Sequence, residues 1–322
     1  MSEQEDFHEP GVGRAAAEWE WKAAQRALDD LFLNAGRYRQ GEEHENLFKF
    51  VTQFRFYSPF NAMLIHIQQP GATFVATASR WVRHYRRAIK AGARPLVILQ
   101  PRGPVMFVFD VSDTLATENS RPIPEAVEKP FEAQGGREIG NELEKTEVNA
   151  RRDGVDIYRA KVGSQQAGSI RLVRADDKGM LKFKCPTREN PAAFVLVPRE
   201  YELETSESLS PEATYATIVH ELGHLYCGHL GMPYLDWKEW PDRRWLDLEM
   251  REVEAESVAY LVCQRLGVAT TSDKYLAGWW KDDKELPSSY SLEQVMRVSG
   301  LIESMSRRRL PPRPKPEALR RA

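Results

Sequence analysis

The sequence predicts an α+β protein with an N-terminal helical domain that carries a small β-hairpin or sheet, and a C-terminal domain in which a small antiparallel sheet precedes active-site helices. Apolar residues recur at helical spacing in both halves of the chain. Strand-like runs separated by turn residues occur at 95–111 and again at 155–199. A stretch rich in Glu and Pro, with poor apolar periodicity, lies between them at 117–150.

These boundaries divide the chain into four segments. We expect a first domain at 1–116, an acidic flexible or extended linker at 117–150, a second domain at 151–306 and a basic, disordered tail at 307–322. Prolines and arginines dominate the tail, so it cannot continue a helix.

Composition excludes several classes of protein. The chain has 322 residues, of which 42% are hydrophobic and 29% charged, as in soluble globular proteins with room for two cores. Its three cysteines include no C-x-x-C pair, which argues against a disulfide framework and a cysteine-based zinc site. The first thirty residues are polar and acidic, and no apolar run is long enough to span a membrane. We therefore expect a cytoplasmic protein with no membrane partner.

The N-terminal part is predicted to be mainly helical, with helices at 14–33, 47–57 and 59–65. A further basic helix is predicted from Ser79, as its N-cap, to Lys90, and the runs 95–99 and 105–111 then predict a hairpin. Cations interleaved with exposed aromatic rings are what single-stranded nucleic acid requires, although a solvated basic face fits the same pattern. The candidate nucleic-acid-binding residues are Arg80, Trp81, Arg83, Tyr85, Arg86, Arg87 and Lys90.

The strongest chemical signal is the H-E-x-x-H pattern of His220, Glu221 and His224 within an apolar helical run. Ser210 and Pro211 mark the start of that helix as its N-cap and first residue. Positions four apart lie about 40° from each other on a helix, so both imidazoles project from one face. Two neutral imidazoles at this separation suit Zn²⁺, and the adjacent glutamate can serve as a general base.

A catalytic zinc site needs a third protein ligand. The sequence offers two candidates for it, a histidine that follows the pattern and an acidic cluster further along the chain. His229 would point about 180° from His220 on a continuous helix, and its spacing does not fit the longer H-E-x-x-H-x-x-G-x-x-H pattern, so a surface or supporting role is favoured. The other source is the acidic cluster on a second predicted helix at 248–262. Its narrow alanine stripe is flanked by Glu252 and Glu256, whose burial would require a cation, whereas Glu249 and Glu254 are predicted to be solvated.

Two parts of the chain resemble ArdC-type antirestriction proteins. Residues 40–114, including Ser58–Ile65, Ala78–Trp81 and Phe109–Thr114, are similar to the N-terminal domain of that family. The order His220-Glu221-x-x-His224 followed by Glu252-x-x-Ala255-Glu256 resembles the gluzincin arrangement of its C-terminal domain. The same order looks like the ImmA/IrrE metallopeptidases, whose second acidic position is more often Asn or Asp.

The resemblance implies roles for individual residues. Glu252 would be the third zinc ligand, and Glu256 would hold a ligand histidine through its other ring nitrogen. Glu221 would be the catalytic base of a zinc metalloendopeptidase that cuts a protein substrate and is recruited or regulated by single-stranded DNA. The alternative is a non-proteolytic, DNA-binding antirestriction-like factor with a structural zinc site. The residue that stabilises the carbonyl oxygen stays open among Tyr226, Tyr234, Tyr260 and Arg251.

Overall fold

The structure is a computed structural model that describes residues 36–100, 103–123, 138–161, 167–186, 189–232, 239–281 and 285–313. The predicted helix at 14–33 lies outside these residues. The chain divides into two compact units: a first unit of Met1–Tyr38 and Leu64–Lys129, and a second unit of Arg39–Met63 and Pro130–Ala322. Among the described helices, none combines the length and the apolar character that a membrane span needs.

Helices and strands are labelled in chain order. The described α-helices are α1 (Gly41–Gln53), α2 (Pro59–Gln68), α3 (Ala78–Arg83), α4 (Glu142–Arg151), α5 (Pro211–Tyr226), α6 (Leu248–Leu266), α7 (Ser272–Lys281) and α8 (Leu292–Arg307). The described strands are β1 (Val75–Ala76), β2 (Arg87–Ile89), β3 (Leu96–Gln100), β4 (Gly103–Asp110), β5 (Thr114–Ala116), β6 (Val155–Ala160), β7 (Gly168–Leu172), β8 (Met180–Lys184), β9 (Phe194–Pro198) and β10 (Tyr201–Ser206). Helices and small sheets together make the α+β class that the sequence predicts.

In the first unit, β1, β4 and β3 form one antiparallel sheet, and β2 pairs with β5. The predicted hairpin is confirmed as β3 and β4. The predicted basic helix is not, because α3 ends at Arg83 and the chain then turns through Arg86, whose φ of 53° is left-handed. The hydroxyls of Thr117 and Ser120 donate to the Arg86 carbonyl and hold that turn. The predicted cap is also displaced by two residues, since the Thr77 side chain accepts from the amide of Arg80.

The second unit contains a mixed sheet in which β10 lies between β6 and β7. Strand β10 runs parallel to β6 and antiparallel to β7, while β8 and β9 form a separate hairpin. A single, mostly antiparallel sheet was therefore the wrong expectation, although each of its four strands is present. The sequence pattern did not predict β10, whose Glu202 is buried between the guanidinium groups of Arg171 and Arg199.

The segments predicted to be a linker and a tail are partly folded into the second unit. Helix α4 occupies the end of the linker, and Asn149 on its buried face donates 2.7 Å to the carbonyl of Met305 in α8. In the tail, Arg313 forms a 2.7 Å ion pair with the buried Asp153. These hydrogen bonds and ion pairs join residues 142–151 and 308–313 to the rest of the second unit. Residues 124–137 and 314–322 lie outside the described part.

Residues 39–63, which the sequence pattern assigned to the N-terminal domain, also belong to the second unit. The buried His44 of α1 accepts a hydrogen bond from Trp280 at 2.9 Å and lies 3.0 Å from the Tyr290 hydroxyl. Arg265 of α6 donates to the carbonyls of Val51 and Phe54. Long-range hydrogen bonds of this kind have no signature in local sequence.

Helices α5 and α6 pack closely at a glycine. A Cβ added to Gly223 would lie 3.2 Å from the Cα of Ala255, closer than ordinary van der Waals contact. Ser210 caps the start of α5 and Asp247 that of α6, as each side chain accepts from the amide three residues later. Gly223 therefore sets how closely the two helices approach.

We expect Gly223→Ala to lower the free energy of unfolding by up to about 2 kcal/mol, because overpacking against the backbone of Ala255 costs about 1–3 kcal/mol and a gain in helix propensity of about 0.5–1 kcal/mol offsets part of it. Gly278→Ala is the matched control. Gly278 lies in α7, and a Cβ added there would have nothing within 4 Å, so alanine should raise stability by about 0.5–1 kcal/mol through helix propensity. Urea unfolding of both variants tests this, and equal effects at the two positions would contradict it.

Candidate metal centre

The two histidines of α5 face the second helix from the same side, as predicted. Their ring centroids are 4.9 Å apart. The Nε2 atom of His220 lies 3.5 Å from one carboxylate oxygen of Glu252, and the Nε2 atom of His224 lies 3.4 Å from the other. The structure thus brings together the three side chains that the sequence and the resemblance selected.

This donor set fits a zinc ion. One ligand atom from each of His220, His224 and Glu252 can be chosen so that all lie within 4.8 Å of one another. In a tetrahedral site with bonds of about 2.0–2.1 Å, ligand atoms lie roughly 3.3 Å apart, close to the two histidine–carboxylate distances. Two imidazoles and one carboxylate are also a common ligand set of catalytic zinc. The arrangement can hold a divalent metal with little rearrangement.

Electrostatics couples the three side chains when no metal is bound. Burial by itself lowers the pKa of His220, but hydrogen bonds to Glu221 and Glu252 and the charge of Glu256 outweigh it and raise that pKa to about 10. Hydrogen bonds from the two histidines lower the pKa of Glu252 well below its usual range. A metal ion held at Nε2 of His220 would therefore have to displace a proton from this histidine, and its charge would balance the glutamates instead.

Glu221 lies in the wall of the same cavity. One of its carboxylate oxygens is 3.3 Å from Nδ1 of His220, and the residue is buried. The carboxylate therefore holds the ring nitrogen of His220 that does not face Glu252. This leaves the Nε2 atom of His220 for a metal.

Glu256 does not occupy the position that the resemblance implies. Its carboxylate lies 3.8 Å from Nε2 of His220, on the side of Glu252, whereas Nδ1 of His220 faces Glu221. The expectation that Glu256 holds a ligand histidine through its other nitrogen is therefore wrong for His220. The reason is the helical spacing, since Glu256 lies one turn after Glu252 on the same face of α6.

The supporting residue of His224 is His229, which is buried rather than on the surface. Its Nδ1 atom lies 3.0 Å from Nδ1 of His224, and its Nε2 atom lies 2.9 Å from a carboxylate oxygen of Glu254. Burial lowers the pKa of His229. The sequence signal for this arrangement is Gly228, whose φ of 86° ends α5 and turns the chain back toward His224.

Glu254, predicted to be solvated, is fully buried. Its carboxylate accepts two hydrogen bonds from Arg243, at 2.6 and 2.7 Å, and one from the amide of Ser291 at 2.8 Å. The prediction failed because Arg243, Ser291 and His229 are distant in sequence, and only the fold brings these donors to one carboxylate. No sequence pattern pointed to Arg243.

His220, His224 and Glu252 line a cavity of about 860 Å³. One wall includes Gly168, Ser169 and Ile170 of β7, an edge strand of its sheet in the described chain. Arg251 also lines the cavity, and its guanidinium group donates 2.8 Å to the carbonyl of Leu246. The cavity gives an extended ligand access to the donor atoms.

The other candidates for stabilising a carbonyl oxygen are placed elsewhere. Tyr226 is buried, and its hydroxyl donates 2.7 Å to Asp153. Tyr260 packs against the rings of Phe48 and Trp280 rather than lining the cavity. Tyr234 lies outside the described residues. Arg251 remains the candidate that the cavity supports.

The candidate nucleic-acid-binding residues fall into two groups. Trp81 and Tyr85 are buried against Phe74 in the core of the first unit, and Trp81 donates 2.8 Å to the carbonyl of Phe109. They cannot stack on bases, so the expectation of exposed rings is wrong; both rings pack into one buried cluster with Phe74. Among the cations, Arg80, Arg83, Arg86 and Lys90 are exposed, and Arg87 is half-buried with its Nε donating to Thr114.

Comparison with known proteins gives structural neighbours alone: no family model and no curated protein matches the chain. Similar solved structures include the metal-free antirestriction ArdC protein from the R388 plasmid, at 13% identity over 78% of this chain and 85% of that one, with a TM-score of 0.32. They also include its Mn(II)-bound form, at 12% identity over 81% of this chain and 98% of that one, with a TM-score of 0.34. TM-scores at this level do not establish a common fold.

Proposed function

We propose that this protein is a zinc-dependent endopeptidase whose metal is held by His220, His224 and Glu252 and whose general base is Glu221. The observation that carries the proposal is the convergence of these four side chains on one cavity. A purely structural zinc site has four protein ligands and no use for a general base. Here His220, His224 and Glu252 would supply three ligands to the metal, and all three line the cavity.

The metal and two side chains of this site would have separate roles in peptide hydrolysis. Zinc supplies Lewis-acid polarisation of a carbonyl group and acidifies water. Glu221 accepts the proton of the attacking water as the water oxygen bonds to the carbonyl carbon. It then delivers that proton to the amide nitrogen as the C–N bond breaks. Arg251, whose side chain lines the same cavity, is the group available to stabilise the carbonyl oxygen.

The cavity wall favours an extended peptide as the substrate. Strand β7 pairs with β10 along one side, and its residues Ser169 and Ile170 line the cavity beside the proposed metal ligands. Among the described strands none pairs with β7 on its other side, and a peptide can add to such an edge as a further strand. Such pairing would hold the main chain of a substrate while leaving the side-chain preference open.

A non-proteolytic, DNA-binding antirestriction-like factor with a structural zinc site is the alternative. It requires a fourth protein ligand, for which Glu256 is the candidate because its carboxylate lies 3.8 Å from Nε2 of His220. Glu221 would then act only by holding Nδ1 of His220. The two functions differ in the expected effect of replacing Glu221. A peptidase would lose hydrolysis, whereas a structural site would lose metal binding at most.

We also propose that single-stranded DNA binds the first unit and recruits or regulates the peptidase. Supporting this are the exposed cations of that unit, which include Arg80, Arg83, Arg86 and Lys90, against Glu118 as its one exposed acidic residue in the described part. With Trp81 and Tyr85 buried, binding would rest on phosphate contacts and would show little preference for base sequence.

Glu221→Gln tests the peptidase. The amide keeps the size of the side chain but cannot take up a proton, so hydrolysis of fluorescein-labelled casein should fall by about 10²–10⁴-fold. Zinc content, measured by atomic emission, should stay near that of the wild type.

Glu249→Gln is the matched control, since Glu249 is exposed on α6 outside the cavity lining. It should cleave at the wild-type rate. Cleavage is measured with and without an oligo(dT) strand, which shows whether the cleavage rate depends on DNA. Normal cleavage by Glu221→Gln would rule out this residue as the base, and a zinc-loaded wild type inactive in both assays would favour the structural alternative.

Replacing Arg80, Arg83 and Arg86 together by glutamine tests DNA binding. Each lost phosphate contact removes about 0.7 from the slope of log affinity against log salt concentration for a single strand, so the slope should become shallower by about 2. Fluorescence anisotropy with oligo(dT) measures this. Lys182→Gln with Lys184→Gln, both exposed on β8, is the control and should leave the slope unchanged. An unchanged slope in the triple variant would exclude this surface.

A further inference from the structure

The hydrogen bonds of His229 link the metal centre to a buried ion pair. One ring nitrogen of His229 faces Nδ1 of His224 at 3.0 Å, and the other faces Glu254 at 2.9 Å. Glu254 in turn pairs with both terminal nitrogens of Arg243. All four residues lie within the second unit, on α5, on α6 and on the residues that follow α5.

The direction of these bonds follows from Glu254. Arg243 and the amide of Ser291 are donors with no acceptor function at these atoms, so the carboxylate accepts from both and stays ionised. A carboxylate that stays ionised cannot donate to His229. The Nε2 atom of His229 therefore carries a proton and donates it to Glu254.

The second bond follows from the first. Arg243 already balances the charge of Glu254, so a second cation at His229 would be buried without an anion of its own. A neutral imidazole carries one ring proton, and with that proton on Nε2 the Nδ1 atom of His229 is an acceptor. His224 must then donate from its own Nδ1. With a metal bound, the lone pair of His224 would thereby lie on Nε2, the nitrogen that faces Glu252.

We propose that His229, oriented by Glu254 and Arg243, is a positioning residue that fixes His224 in its metal-binding tautomer. The proposal rests on the metal site of His220, His224 and Glu252, but it does not depend on which reaction that site carries out. Groups that hold the second nitrogen of a ligand histidine typically change metal affinity by about 10–100-fold when they are removed. In this chain, another histidine takes the place that a carboxylate or a carbonyl usually occupies.

Two substitutions separate the two bonds of His229. In His229→Asn the amide oxygen comes where Nδ1 was, so it can still accept from His224, but the link to Glu254 is lost. In His229→Gln the amide nitrogen comes where Nε2 was, so it can still donate to Glu254, but the acceptor for His224 is lost. His229→Leu removes both.

We expect the zinc affinity of His229→Gln and His229→Leu to fall by about 10–100-fold, and that of His229→Asn to fall far less. The measurement is competition with a zinc-binding fluorescent chelator, without any substrate. Thermal unfolding of the metal-free proteins supplies the second readout. A purely structural role predicts the reverse order, with His229→Asn the more damaging of the two amides because it leaves Glu254 without one donor.

The tautomer can also be observed directly. Long-range ¹H–¹⁵N correlation spectra of zinc-loaded, histidine-labelled protein should show His224 protonated at Nδ1 and His229 protonated at Nε2. Equal zinc affinities in the Asn and Gln variants, or a proton on Nδ1 of His229, would overturn the proposal while leaving the peptidase intact. A wild type that binds no zinc would overturn both.

Discussion

The approach of α5 to α6 at Gly223 and Ala255 is the constraint on which the metal centre depends. Ligands on two separate helices meet only if the helix axes come close, and a Cβ at position 223 would lie 3.2 Å from the Cα of Ala255. The glycine is the second x of the H-E-x-x-H pattern, so the ligand helix and the packing surface are the same stretch of sequence. Glu252, one turn before Ala255, is thereby brought within 3.5 Å of both imidazoles.

Charge around the centre is arranged in two layers. The deeper layer balances itself, because Arg243 neutralises Glu254 and a neutral His229 completes the hydrogen bonds. The layer facing the cavity does not, because Glu221, Glu252 and Glu256 surround two histidines and raise the pKa of His220 to about 10. Carboxylates gathered around partly buried imidazoles favour a bound cation. The buried group of Arg243, Glu254 and His229 can then orient a ligand histidine, while the carboxylates that face the cavity attract the metal ion.

Local sequence accounts for the parts of this structure that depend on helical spacing and capping. His220, His224 and Glu252 follow from helical periodicity together with the resemblance, and Ser210 follows from capping chemistry. Residues whose environment depends on long-range contacts could not be predicted. The position of Glu254 on its helix is one at which a glutamate is usually solvated, and only the fold brings Arg243 to its carboxylate. Trp81 and Tyr85 were predicted to be exposed but are buried, because Phe74 and the carbonyl of Phe109 meet them only in the fold. Short-range patterns thus selected the candidate metal ligands better than the residues that contact them.

We propose a zinc ion with three protein ligands and one position open to the cavity. A crystal structure of the zinc-loaded protein, with anomalous diffraction measured on both sides of the zinc absorption edge, tests this most directly. We expect one zinc peak bonded to Nε2 of His220, Nε2 of His224 and the carboxylate of Glu252, with a solvent oxygen as the fourth ligand. A peak at which Glu256 fills the fourth position, or no peak at these residues, would contradict it.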